Sequence, residues 1–454
     1  MVPNIGLFDI CLGFFYLFII YYLFYLFNRK NTNFEQKWFY YALSAKVVGA
    51  ILFVAISVFY YEGGDTFLYF KIAEDVRHHL FTNFSGTIKL LFTPYHQLSD
   101  LPFNPLEQFN YYYERNTTWA FSRVTFLFDL ISFGSYWVSS LLFSVISFIG
   151  LWLGYTSFCR LYPKASKYML IPFFLVPTSL IWSSGILKDT LIQGAIGVLI
   201  FSFSNLFIFR KKWFPGILLL VIALFLILFI KPFLLYVLIP CFFIWILPYM
   251  VQPVKNLMLK WGISFLTIIV IVGAGYFINS VYLEKSSKYK LENMVHTIKG
   301  FQLDHTMNAV VKDQSVYTLG DISFTFWGII KKLPEAINVT FFRPYLWEVN
   351  NLPMLLEAIQ SLILLIIFFY SVIVLNKQFL KRIINNHEVR FMMLFAVVFS
   401  VLTGITSYNF GALSRFKIPA VMFFLLSIII CYATSGKNYK TNFIAKYISK
   451  IFNI

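Results

Sequence analysis

Charge punctuates this chain at regular places. Long apolar stretches are separated by short connections, and every second connection is basic. The basic ones are Arg29/Lys30/Lys37, Arg160/Lys164/Lys167, Arg210/Lys211/Lys212, Lys255/Lys260, Lys377/Lys381/Arg382/Arg390 and Lys437/Lys440/Lys446/Lys450. Lys and Arg beside an apolar span are retained on the cytoplasmic face during insertion, so the alternation sets both a helix count and an orientation. The expected fold is all-α: a polytopic transmembrane helix bundle, N-terminus outside and C-terminus inside. An ordinary soluble domain is excluded. Of 454 residues, 59% are hydrophobic and 13% charged, against roughly 25% charged in soluble proteins.

A span needs about 20 apolar residues, fewer where the helix is broken or packed inside the bundle, and on that rule about eleven are expected. They are Leu7–Phe27, Phe39–Tyr60, Tyr136–Phe158, Tyr168–Trp182, Thr190–Phe209, Gly216–Ile230, Phe233–Tyr249, Gly262–Leu283, Met354–Leu375, Phe391–Tyr408 and Ile418–Thr434. Tyr168–Trp182 is interrupted by Pro172 and Pro177, each of which removes a helical N–H. Two larger outer-face segments, 61–123 and 284–353, separate groups of spans, and Val124–Phe133 is expected to be an interfacial helix. Residues 1–434 read as one integral membrane domain and 435–454 as a short basic cytoplasmic tail. The first apolar segment lacks a basic start and a small-residue cleavage site, so it reads as a retained helix.

The net charge of +17 does not point to nucleic acid, because most of the excess lies in short loops beside apolar spans. There it sets topology and meets anionic membrane lipid. Cys11, Cys159, Cys241 and Cys431 are scattered, without the spacing of a disulfide framework or a zinc site. The histidines show no metal-ligand spacing either.

The polar motifs all fall on the expected outer face. The first is Tyr60-Tyr61-Glu62-Gly63-Gly64-Asp65-Thr66-Phe67-Leu68-Tyr69. Its glycines allow a tight turn, and Asp65 is placed to accept a proton from a hydroxyl or to hold a metal ion. The same residues also suit a glycine cap followed by Asp65 as the N-cap of a helix starting at Thr66. The second is Trp182-Ser183-Ser184-Gly185-Ile186-Leu187-Lys188-Asp189. A helix start with Lys188 suits a phosphate; the plainer reading is a turn in which Lys188 snorkels and Asp189 caps.

The third is Arg343-Pro344-Tyr345-Leu346-Trp347-Glu348. Arg343 suits bidentate phosphate recognition, while Tyr345 and Trp347 read chiefly as interfacial anchors. The fourth runs from Asn409 to Pro419, with Arg415 and Lys417 in a very short turn between spans. Bases there oppose the positive-inside bias and imply a compensating anion. Lys231 is a weaker member of this group. Lys46 and Asp9 lie inside spans; either suits a polar interior, but Lys46 also suits snorkelling and Asp9 a helix end, so neither is assigned to the site.

An outer acid after an early helix, outer bases from later helices and proline-broken short spans occur together in one enzyme class. On Asp65, Lys188-Asp189, Arg343-Pro344 and Asn409–Pro419, the chain resembles bacterial polytopic glycosyltransferases of the GT-C type and the O-antigen and exopolysaccharide polymerase group. The resemblance implies Asp65 as catalytic base. It implies Lys188, Asp189, Arg343, Arg415, Lys417, Glu62 and Tyr69 as substrate-binding residues. The implied donor is a polyprenyl-phosphate-linked sugar. The implied acceptor is a hydroxyl on a glycan, lipid or protein, and the setting is the bacterial inner membrane. The resemblance fixes no cofactor and leaves a divalent metal ion as an option. Two features depart from the class: the acid follows the second helix, where the class has it after the first, and a large soluble C-terminal domain is absent. A polymerase or ligase of lipid-linked glycans is the nearest alternative. A transporter or flippase is the alternative from another class.

Overall fold

The computed structural model describes residues 2–435 except 4, 30–33, 108–114, 212, 283–294, 296–297, 301–302, 304–315, 321 and 324. Lys30, Lys212, Glu114, much of the second expected outer segment and the whole basic tail beyond Ser435 therefore lie outside the described residues. Within the described residues the chain is helical, with one isolated β-bridge, between Val316 and Asn409.

The helices follow the apolar stretches. They are α1 (Leu7–Asn28), α2 (Phe39–Ala55), α3 (Asp65–Thr82), α4 (Phe84–Phe92), α5 (Arg115–Ile131), α6 (Tyr136–Leu161), α7 (Ser166–Leu170) and α8 (Pro177–Trp182). Then come α9 (Lys188–Phe203), α10 (Trp213–Ile230), α11 (Leu235–Val251), α12 (Leu257–Phe277) and α13 (Phe326–Phe342). The last are α14 (Leu352–Leu375), α15 (Lys377–Asn385), α16 (His387–Ser407), α17 (Phe410–Phe416) and α18 (Ile418–Ala433). Among the described residues 9 helices are long and apolar enough to cross a membrane, or 10 if α17 and α18, bent by 54°, form one broken span.

The expected span Tyr168–Trp182 is not a continuous helix. It comprises α7, a wide π-type turn over Ile171–Leu175, and α8. Pro172 sits in the wide turn and Pro177 opens α8. Val176, the residue before that proline, is extended at φ −66°, ψ 123°, as the clash with the proline ring requires. The expected interfacial helix Val124–Phe133 also starts earlier, because α5 begins at Arg115 and ends at Ile131. Asp129 on α5 is fully buried and takes a 2.6 Å hydrogen bond from Arg77 on α3. This pair ties the first expected outer segment into one layer.

Small residues set the centre of the bundle. At the α6–α9 crossing, a Cβ added to Gly150 would stand 2.2 Å from the Gly194 carbonyl oxygen, and one added to Gly197 would stand 2.2 Å from that of Gly150. Lipid and side chains offer the same apolar contact, so helices in a bilayer gain most where small residues allow backbones to touch. Gly49 on α2 does the same against α8, where a Cβ would stand 2.1 Å from the Leu180 carbonyl oxygen.

Two sets of polar contacts join distant helices. At one end Tyr162, Trp245, Tyr249 and Asn386 meet around Glu388, and Arg210 reaches the Tyr249 carbonyl. These residues belong to or adjoin the basic connections. The other set joins Asp65, Asp189, Lys231, Arg343, Glu357, Arg415 and Lys417.

Candidate functional site

The site begins where α2 ends. A π-type turn over Ile56–Tyr61 stops at Glu62, which takes a left-handed conformation at φ 48°. Gly64 follows at φ 112°, a backbone state that a side chain resists. Helix α3 then starts at Asp65, with Gly64 as its N-cap. The helix thus begins one residue earlier than the sequence suggested, and Asp65 lies in its first turn, where free N–H groups favour a carboxylate. The start of α3 is held against α6 by a 2.8 Å hydrogen bond between Thr66 and Tyr136 hydroxyls. Phe67 and Phe70 pack edge-on against the Tyr136 ring, each at 5.3 Å between centroids.

Arg415 meets Asp65. Its Nη1 donates to Asp65 Oδ2 at 3.2 Å, across 350 residues of sequence. Arg415 is carried by α17, whose N-cap Asn409 accepts from the Gly411 N–H at 2.7 Å and the Ala412 N–H at 3.2 Å. Asp189 and Tyr69 also act on the Arg415 charge. Asp189 is paired in addition with Lys231 at 2.5 Å, and both side chains are 12% exposed. Lys231 Nζ lies 4.5 Å from the centre of the Phe416 ring, next to Arg415 in sequence. The two ion pairs, Lys231–Asp189 and Arg415–Asp65, thus meet at Phe416, the residue after Arg415.

Lys188 stands beside these pairs. It donates to the Thr117 hydroxyl at 2.9 Å and lies 5.4 Å from the centre of the Tyr69 ring. Tyr69 is buried, with Phe121 edge-on at 4.7 Å. The turn that presents Lys188 and Asp189 is pinned by Thr190, which donates to the Gly185 carbonyl at 2.7 Å and accepts from the Gly185 N–H at 3.4 Å. Ser183 and Ser184 are fully buried, and the turn they form is internal because Gly185 lets it lie against Phe53. A Cβ there would stand 1.9 Å from that ring.

Lys417 departs from its expected position. The sequence places it in an outer turn beside an anion. It is fully buried at the α17–α18 bend, 2.8 Å from the Glu357 carboxylate on α14. The compensating charge is thus internal. Lys417 also donates to the Arg343 carbonyl at 3.2 Å, which takes a second bond from Ser361 at 3.0 Å. Arg343 itself forms a bidentate pair with Glu348, with Nε at 3.0 and 3.1 Å from the two oxygens. Rings of Phe410, Tyr345 and Tyr317 surround its guanidinium at 5.4, 5.8 and 5.9 Å. Burial pushes the Glu348 carboxyl up, but the Arg343 hydrogen bonds, the Tyr345 N–H and the Arg343 charge outweigh it and hold the group below its ordinary range.

The structure thus gathers all four sequence motifs. Asp65, Tyr69, Lys188, Asp189 and Arg415 form the inner group, joined by Lys231. Lys417 and Arg343 form a second group beside them, joined by Glu357 and Glu348. Glu62 is exposed and has no hydrogen bond or ion pair among the described residues. Among the described residues no group of three or more His, Cys, Asp or Glu could hold a metal ion, and Asp65, Asp189 and Glu357 each face a side-chain cation.

Sequence reasoning missed two participants. Lys46, which the sequence leaves unassigned, is buried on α2 and donates to the Ser183 hydroxyl at 2.9 Å and to the Ser183 carbonyl. Its signal was a lone lysine in the middle of an apolar run, with no partner nearby in sequence. Glu357 carries the same kind of signal, a single acid inside a span. Compared with known proteins, the chain matches no family model, no curated protein and no solved structure.

Proposed function

We propose that the chain is a membrane glycosyltransferase of cell-envelope glycan assembly, working on the outer face of a bacterial inner membrane. In this reading the bundle has about eleven spans if the broken α7–α8 segment counts as one. The N-terminus lies outside and the C-terminus inside, because the basic connections would otherwise face the wrong way. The donor is a sugar joined to a polyprenyl phosphate. The acceptor is a hydroxyl on a glycan, lipid or protein.

The reaction balances on the residues of the inner group. The acceptor oxygen attacks the anomeric carbon, and its proton passes to the Asp65 carboxylate. The bond from the anomeric carbon to the phosphate oxygen breaks, and the electron pair leaves with the phosphate. Arg415, Lys231 and Lys188 offset the charge that develops there. Lys417 and Arg343 act as positioning residues in this scheme, since their own carboxylates occupy them. One observation carries the reading: Asp65 and Arg415, 350 residues apart, are in contact at 3.2 Å beside the Asp189–Lys231 pair.

Removal of the gene and complementation test this. The deletion strain should lose an envelope glycan that the wild-type chain restores. Asp65→Asn should reach the membrane at the wild-type level and restore none. Full restoration by Asp65→Asn removes the base. The concentration of cations around Asp65 and Asp189 favours one alternative, a polymerase or ligase of lipid-linked glycans. In that case Asp65→Asn is tolerated and Arg415→Gln is not.

A further inference from the structure

Every carboxylate of the inner group has a cation, but the two pairs differ. Asp189 and Lys231 are 2.5 Å apart and 12% exposed on both sides. Asp65 and Arg415 are joined by a longer contact of 3.2 Å, with side chains 28% and 24% exposed. A ligand that needs a cation here meets the looser, more open pair first.

We propose that Arg415 exchanges partners: the phosphodiester of the lipid-linked sugar draws it away from Asp65, and that release frees Asp65 to act as a base. The inference rests on the glycosyltransferase reading and deepens it by stating how the same site is switched on. In the ligand-free site Arg415 occupies the Asp65 carboxylate at 3.2 Å, so an acceptor hydroxyl approaching Asp65 meets the arginine in its way. A phosphate offers the guanidinium a stronger, bidentate partner. Asp189 cannot follow Arg415, because Lys231 holds it. Asp65 does not need to follow either. It keeps its place in the first turn of α3, which the Thr66–Tyr136 hydrogen bond fixes against α6. The base then becomes active only when a donor is in place, which protects the donor from loss to water.

Competition gives this a direct test. If Asp65 and phosphate share one cation, removing the carboxylate strengthens phosphate binding. The probe is undecaprenyl phosphate added to the full chain in nanodiscs of neutral phosphatidylcholine, with inorganic phosphate as a second arm. Asp65→Asn should bind the lipid phosphate at least fivefold more tightly than wild type. Asp65→Ser serves if the asparagine variant is poorly folded. Arg415→Gln should bind at least tenfold more weakly, and Asp65→Asn should bring no gain in the Arg415→Gln background. Displacement by millimolar inorganic phosphate identifies the headgroup alone as the ligand; failure to displace shows that the lipid chain contributes, and either result keeps the exchange.

Unchanged or weaker binding by both Asp65 variants overturns the exchange, as does a gain that persists without Arg415. Absence of binding by wild type removes the phosphate ligand and the exchange together. Tighter binding by Asp65→Asn combined with full glycan restoration keeps the exchange and removes the base, so the two ideas fail separately.

Discussion

Lys46 on α2 donates a 2.9 Å hydrogen bond to the hydroxyl of Ser183, 137 residues later in the chain. The lysine is fully buried and its hydrogen-bonding partners among the described residues are neutral. A lysine buried in hydrocarbon is costly, and its bonds tie the turn before Lys188 and Asp189 to α2, the helix that leads to Asp65.

Lys46→Met keeps the length and removes the donor. Relief of desolvation offsets most of the lost hydrogen bonding, each bond to a charged group being worth about 1.5–3 kcal/mol. The thermal midpoint should stay within a few degrees of wild type, roughly ±1 kcal/mol in stability, while glycan restoration falls at least tenfold. Restoration equal to wild type shows that the contact does not orient the turn.

The buried Lys417–Glu357 pair should be strongly coupled. Removing either charge leaves the other unpaired, at a cost of ~3–5 kcal/mol. Glu357→Gln and Lys417→Met should therefore each destabilise sharply, and the double variant Lys417→Met/Glu357→Leu should recover most of the loss. A double-mutant cycle by thermal unfolding in detergent measures this, and additive losses would count against the pair.

Two glycines should behave differently. Gly49→Ala drives a methyl group toward a backbone oxygen at 2.1 Å, which cannot yield, and overpacking of this kind costs ~1–3 kcal/mol or more. Gly185→Ala meets the edge of the Phe53 ring, which can be made smaller. Phe53→Leu should rescue Gly185→Ala and leave Gly49→Ala unrelieved. Membrane expression and thermal midpoint report both.

Acid should loosen the Arg343 clamp. The folded pKa of Glu348 lies below the ordinary 4.5. Its contribution to stability is complete above that ordinary value and lost as pH falls through the folded one. The stability difference between wild type and Glu348→Gln should thus hold from about pH 7 to about pH 5 and shrink below that. A difference that grows on acidification reverses the sign and removes the assignment.

Orientation is open to labelling. In a Cys11→Ala background, a cysteine at exposed Glu62 should react with an impermeant maleimide from outside intact cells. A cysteine at exposed Lys164 should react only after the membrane is opened. The reverse pattern inverts the topology and places Asp65 on the cytoplasmic face.

The spans were legible because hydrophobicity is a local quantity. The helices end within a few residues of the expected bounds, and the break at Pro172 and Pro177 is written in two residue types. Partnerships were not legible. Glu357 is one acid in an apolar run, and Lys46 one base. Neither has a periodicity that names Lys417 or Ser183, and a lone charge in a span reads as snorkelling until its partner is seen. Arg415 and Lys417 were grouped by sequence as two outer bases, yet the bend between α17 and α18 sends one to Asp65 and the other into the protein. Pro419 in the first turn of α18 marks a break there, but neither the 54° angle nor the partners it selects can be read from one proline.

The glycine crossing of α6 and α9 has a mechanical meaning. With Gly150 and Gly197 back to back, the two helices have no cushion of side chains through which to slide or part. Together they form a fixed keel. Under the proposed glycosyltransferase reading, a movement that admits a lipid tail falls to elements away from this crossing, such as α17 and the broken α7–α8 segment.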